Sequence, residues 1–248
     1  MILAGLTTDE VRAIVARPPT CILLPVGSVE PHGPHLHLGT DTTISEEASA
    51  RAAKLLCARA PSITTYIAPS VPYGVTDYAR GFAGALSIPP PVLTSFLKAI
   101  VLGLLADGWS HVCLVNNHLE PEHDAAVRAS IDGLVRAVAS VACPLTRRWA
   151  RTLSDEFKRG DCHAGRYETS LVLAANGDVR DASRSLPVVA ISLADGIKAG
   201  KKTFAEMGID RAYTGAPAEA TREEGDALYS KLAEMIVTEV TEALEGAS

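Results

Sequence analysis

The chain has 248 residues, 47% of them hydrophobic and 21% charged, enough apolar material to bury a sizeable core within one domain. A formal charge of -6 with no lysine- or arginine-rich run excludes a phosphate-neutralising nucleic-acid surface, so the expected partner is a small molecule. Five widely spaced cysteines without a Cys-x-x-Cys pair argue for a reduced, cytoplasmic setting; the opening residues carry no basic leader, and no apolar stretch is long enough to span a bilayer.

Thr7-Thr8-Asp9-Glu10 opens a helix with a capping box, and Pro18-Pro19 closes it. A strand is expected from Thr20 through the apolar run ending at Val26, then an alanine-rich helix over 41–60 and a strand over 64–71. Residues 89–107 carry Val92, Phe96, Ile100 and Leu104 at helical spacing, and a strand over 111–116 and a helix over 121–138 follow. Strands near 143–149 and 187–192 and a final helix over 221–244 complete the pattern. Such alternation predicts an α/β fold: a three-layer α/β/α sandwich with a largely parallel central sheet, one domain over 1–248. Residues 194–216 are the least regular. With Lys198, Lys201 and Lys202 among glycines, they are expected as a solvated surface, with a mobile loop or an oligomer contact as the other readings.

Chemistry concentrates after the first strand, where Glu-Pro-His-Gly-Pro-His-Leu-His-Leu-Gly-Thr-Asp spans residues 30–41 and offers Glu30, His32, His35, His37 and Asp41. In extended backbone Glu30 and His32 point the same way, and Asp41 can return to them after the Gly33-Pro34 bend. His118 and Glu120, again one residue apart, follow the strand over 111–116. Open parallel sheets bind ligands beyond the carboxyl ends of their strands, and both pairs lie there. Mixed oxygen and nitrogen donors suit zinc, manganese or iron rather than calcium or a thiolate-rich structural zinc site.

On these residues the chain resembles the creatininase family of metal-dependent amidohydrolases. The likeness runs from Glu30 through Asp41 and continues in Pro72-Tyr73-Gly74, Gly81-Phe82-Ala83-Gly84, Asn116-Asn117-His118, His163 through Ser170, and Gly215-Ala216-Pro217. It implies two divalent metal ions, zinc or manganese first and iron as a further option. Glu30, Asp41 and His118 would hold one and His32, Asp41 and Glu120 the other, with Asp41 as the bridge. His163 would be the proton shuttle that lets the amine leave, and Glu168 would orient its imidazole or hold the reacting water.

Substrate contacts are expected from Tyr73, Thr76, Leu119, Arg159 and Cys162, with Asp77, Tyr78 and Arg80 at the pocket wall. His35 would brace a ligand from behind, His37 is either a substrate contact or a surface residue, and Glu122 and His123 are expected to face solvent at a helix start. Creatinine-hydrolysing relatives carry tryptophan at the position of Arg159, glutamate at Cys162 and tyrosine at Leu119. These departures count against creatinine itself, and Arg159 is free to pair with a substrate carboxylate or phosphate instead.

The resemblance therefore implies hydrolysis of a non-peptide C–N bond in a small-molecule amide. A cyclic amide or lactam-like ring comes first, an N-formyl or linear amide next, and a peptide-processing activity of the same family is a further alternative. A thiol hydrolase using Cys162, or a ligand-binding protein without turnover, is the reading from a different class. Relatives of this kind are commonly homohexamers.

Overall fold

Four segments pair in parallel in the computed structural model, which describes residues 1–246: β1 (Thr20–Val26), β2 (Thr64–Ile67), β3 (His111–Asn116) and β4 (Ala139–Ala142). They form one sheet in the order β2-β1-β3-β4. The helices are α1 (Thr8–Val15), α2 (Thr40–Arg59), α3 (Pro90–Ala106), α4 (Pro121–Ala129), α5 (Arg147–Ala150), α6 (Asp155–Arg159), α7 (Arg166–Ala174), α8 (Leu193–Lys198), α9 (Phe204–Met207) and α10 (Arg222–Glu245). No helix among the described residues is long and apolar enough to cross a membrane.

The central strands are apolar along almost their whole length because both faces of the sheet are covered. Side chains alternate: Cys21, Leu23, Cys113 and Val115 point into a core shared with α2, α7 and α10. Ile22, Leu24, Val112 and Leu114 point the other way, against α3 and α4. Each fully buried leucine or isoleucine contributes about 1.5–3 kcal/mol, so these two apolar layers are what hold the sandwich together. The Thr7–Glu10 capping box forms as read, with Thr7 N–H donating to Glu10 Oε2 at 2.7 Å.

Register then fixes the site. Val26 pairs with Asn116, so the loops leaving β1 and β3 emerge side by side. The N-terminal part of α2 is drawn onto the same rim, because Ser45 Oγ donates to Val26 O at 2.7 Å and Asn117 Nδ2 donates to Ser45 Oγ at 3.1 Å. Gly27 permits this approach: a Cβ there would lie 2.5 Å from the Thr42 nitrogen.

Several elements differ from the sequence expectation. The helix expected over 121–138 stops at Ala129, where Ser130 turns its hydroxyl onto Val127 O at 2.6 Å and Gly133 adopts φ 86°. The last strand lies at Ala139–Ala142 rather than 143–149, since Pro144 has no N–H for a ladder and the chain turns into α5. Over 187–192 there is only an isolated antiparallel bridge between Val189 and Gly215, and β2 ends at Ile67 rather than Val71.

Candidate metal centre

The segment from Glu30 to Asp41 closes on itself through Glu30 N–H to Leu38 O at 2.9 Å, which turns its carboxylates and imidazoles inward. His32 Nδ1 lies 2.9 Å from Glu30 O, and His118 Nε2 lies 2.6 Å from Val75 O. A carbonyl only accepts, so both ring nitrogens carry hydrogen, and the opposite nitrogen of each neutral ring presents a lone pair to the centre. His118 Nδ1 stands 3.0 Å from Glu30 Oε2 and 3.1 Å from Asp41 Oδ2. His32 Nε2 stands 3.2 Å from Asp41 Oδ1 and 3.4 Å from Glu168 Oε2.

Three overlapping groups result, each with its ligand-type atoms within 4.8 Å of one another: Glu30–Asp41–His118, His32–Asp41–Glu168, and Glu30–His32–His163. All these side chains are buried. Burial opposes charge on His32, but Asp41, Glu168 and Glu30 outweigh it and raise the imidazole to about 10. His118 is likewise raised to about 10, against burial, by Glu30 and Asp41. Asp41 is held well below the carboxylate range, because its two imidazole neighbours overcome its burial. Burial lifts Glu168 to about 8, with His32 opposing and Asp41 adding to the rise. His163 is pushed well below the ordinary histidine value by burial first and by His32 second.

The donor set fits divalent cations. His32 Nε2 and Asp41 Oδ2 are buried without hydrogen-bond geometry to any neighbour, and Glu30, Asp41 and Glu168 converge where protons on the two imidazoles or bound divalent cations relieve their repulsion.

The structure divides the expected residues differently from the sequence. Glu168 reaches His163 through the backbone and not through its ring: its Oε2 accepts Ala164 N–H at 2.7 Å, in the turn that carries His163, and faces His32. Glu120 stays outside the compact groups, accepting from Asp77 N–H at 3.0 Å and Tyr78 N–H at 3.2 Å. Its carboxyl is raised to about 7 by burial, with His118 opposing and Glu30 reinforcing, and it lines the same pocket as Glu30 and His118.

Leu119 and Cys162 line the pocket over the centre, whereas Thr76 is buried off its walls with its hydroxyl unpartnered. Tyr73 is not at the centre: it is 48% exposed and belongs to a separate groove with Phe96 and Ile100. Arg159 also stays out of the pocket, its side chain 63% exposed and 3.3 Å from Asp161. Of the expected wall, Tyr78 lines the pocket, whereas Asp77 and Arg80 pair with each other at 2.9 Å outside it. His35 Nε2 lies 3.0 Å from Thr169 Oγ1, behind the centre, and His37 is half-buried.

Two residues take roles their sequence positions hid. His123, expected to face solvent, is wholly buried with its ring 4.5 Å from that of His118, and its Nδ1 accepts Val75 N–H at 3.2 Å. Val75 therefore joins the two imidazoles through its peptide groups. Glu156 accepts from Arg166 N–H at 3.0 Å, Tyr167 N–H at 2.7 Å and Ala216 N–H at 2.7 Å, fixing the start of α7 and hence the His163–Glu168 turn. A solitary Asp-Glu pair in sequence carries no sign of that role.

Above the centre lies a cavity of about 270 Å³, walled by Leu119, Phe157, Leu193, Ile197, Phe204 and Tyr78. Fold and site together define an α/β protein with a carboxylate–imidazole centre at the carboxyl rim of a parallel sheet.

The family model for creatininase, described as creatinine amidohydrolase, matches residues 4–240. The chain is 33% identical over 232 residues to the mycofactocin precursor peptide peptidase of Mycobacterium tuberculosis, covering 88% of this chain and 84% of that protein. It is 28% identical over 199 residues to the creatinine amidohydrolase of Pseudomonas putida, covering 72% of this chain and 73% of that one. A crystal structure of a creatinine amidohydrolase (creatininase) superimposes with a TM-score of 0.73 at 21% identity, covering 97% of this chain and 96% of that chain. The chain belongs to the creatininase family of amidohydrolases.

Proposed function

We propose that the chain hydrolyses the C–N bond of a small-molecule amide, a cyclic amide or lactam-like ring first and an N-formyl or linear amide next. The observation that carries this reading is the pair of imidazoles, His32 and His118, whose outer nitrogens are tied to backbone carbonyls while their inner nitrogens face shared carboxylates. Glu30, Asp41 and His118, with Glu120 beside them, would hold one divalent cation, and His32, Asp41 and Glu168 a second. Zinc or manganese leads and iron follows, since structural neighbours are described as a manganese creatininase and as a Zn-Zn type creatininase. Such a pair supplies Lewis acidity and a water acidic enough to attack at neutral pH.

The chain's own side chains do the rest. His163, kept neutral by burial, has Nε2 3.5 Å from Glu30 Oε1 and 3.1 Å from Pro31 O, at the edge of the cavity. Nε2–H is donated to the Pro31 carbonyl, so Nδ1 is the nitrogen left to take a proton from the attacking water and deliver it to the leaving nitrogen, which departs only as a neutral amine. Glu168 holds the Ala164 turn that carries His163. Cys162 has the wrong state for a nucleophile: burial, then Glu168 and Glu156, push its thiol far above the ordinary value.

A second reading, peptide processing, is favoured by the identity to mycofactocin precursor peptide peptidases, 33% over 84% of one such protein. The proposal extends to a cytoplasmic homohexamer, supported by the free cysteines and by the exposed Val92 and Phe96 on α3. The test is a panel of lactams, cyclic ureides, N-formyl and linear amides, short peptides and simple esters, offered to metal-replete protein. Amide cleavage lost in His163→Ala and His32→Ala is expected; cleavage of esters alone would overturn the proposal, and peptide-only cleavage would establish the second reading.

A further inference from the structure

We propose that the amide cleaved here carries a bulky apolar substituent, branched aliphatic or aryl, beside its scissile bond; this rests on the hydrolase reading above. Outside the centre itself the cavity offers almost no polar recognition. Beyond Glu30, Asp41, Glu168 and the histidines, its charged lining residues are Glu120, whose carboxylate is turned onto the Asp77 and Tyr78 amides, and Lys158, whose Nζ is already 3.1 Å from Asp155 and whose side chain is 44% exposed at the rim. The Tyr78 hydroxyl and the Cys162 thiol apart, the remaining walls are carbon: Leu119 and Phe157 on one side, Phe204 over the ring of His163 at 4.7 Å, and Leu193 and Ile197 above. A small polar ring would find only the centre to bind its edges, and would leave these walls in contact with water.

The roof is built for this by local sequence. In α8, Leu193 and Ile197 are four residues apart and share one face, which packs toward the cluster of Tyr78, Phe204 and Met207. Asp195 and Lys198 occupy the opposite face, exposed and 3.4 Å apart. The stretch that reads in sequence as a solvated surface therefore lays an apolar face over the centre. Leu193 and Ile197 remain partly exposed while Phe204 is 3% exposed, so an apolar guest has surface left to cover.

The test uses hydroxamates, which differ only in their tails: acetohydroxamate, butyrohydroxamate, hexanohydroxamate and phenylacetohydroxamate, titrated calorimetrically into the zinc- or manganese-loaded protein. Matching simple amides are titrated into metal-free protein to read the walls alone. We expect affinity to rise about fourfold per methylene that enters the cavity. Ile197→Asn and Leu193→Asn should each flatten the series. A flat series in the unaltered protein, with all hydroxamates binding alike, overturns the apolar-substituent inference and leaves the hydrolase reading standing. No hydroxamate binding, with amides still graded by tail on the metal-free protein, overturns the metal-centred reading while the apolar cavity stands.

Discussion

Two imidazoles tied by their outer nitrogens to Glu30 O and Val75 O have only their inner nitrogens to offer the carboxylates, and a proton or a metal ion must occupy the space between. With both rings raised to about 10 in the metal-free chain, protons occupy it at neutral pH. Their stabilisation of the metal-free fold is full below the unfolded histidine value of about 6.5 and is lost as pH rises toward about 10. Metal uptake must therefore displace protons. Calorimetric heats at pH 7 should vary with the ionisation enthalpy of the buffer, and affinity should rise about tenfold per pH unit for each proton released; heats that ignore the buffer would contradict the ring assignment. Glu168→Gln should weaken the His32 ion more than the His118 ion, seen as a loss confined to one of two binding steps; equal loss from both steps would count against the division. The donors themselves were legible, because Glu-x-His and His-x-Glu after apolar runs are uncommon arrangements with one economical chemical reading. The partner of Glu168 was not, because it depends on Ala164 taking φ 48°, a left-handed turn that spacing along the chain does not announce.

At the level of elements, the junction of α6 and α7 positions the proposed shuttle. Glu156 is 2% exposed, and burial raises its carboxyl while the three amides it accepts from oppose that rise. Gly215, at φ 74°, passes so close that a Cβ there would lie 1.9 Å from Glu156 Oε1. Glu156→Gln should cost about 2 kcal/mol of unfolding free energy, because an amide replaces a charged acceptor of buried N–H groups. It should also lower kcat more than it raises KM. A change in stability with kcat intact would show that the junction does not place His163. Long elements were readable because their signals run over several turns, as in the apolar spacing of α3 and the alanine-rich composition of α2. The short ones were not: apolar residues at 143–149 and 187–192 serve loops packed against a core, where alternation along the chain mimics a strand without ladder partners.

For the molecule as a whole, the buried carboxylates make the fold depend on the cations it is proposed to hold. Chelation should lower the melting temperature, and restoring metal at about a hundredfold above its Kd should return about 2.7 kcal/mol for each site; a melting curve indifferent to chelator would contradict this. The layered architecture was legible from strand–helix alternation. The apolar roof was not, since α8 and α9 are too short for periodicity and Lys198, Lys201 and Lys202, at the end of α8 and in the connection to α9, mark a solvated surface. Metal content per chain bears most closely on the proposed centre, measured by elemental analysis of gently purified protein beside the His32→Ala and Glu168→Gln variants. Roughly two ions per chain are expected, falling toward one in each variant. No metal above background in the unaltered protein, even after reconstitution with zinc or manganese, would contradict a two-cation centre.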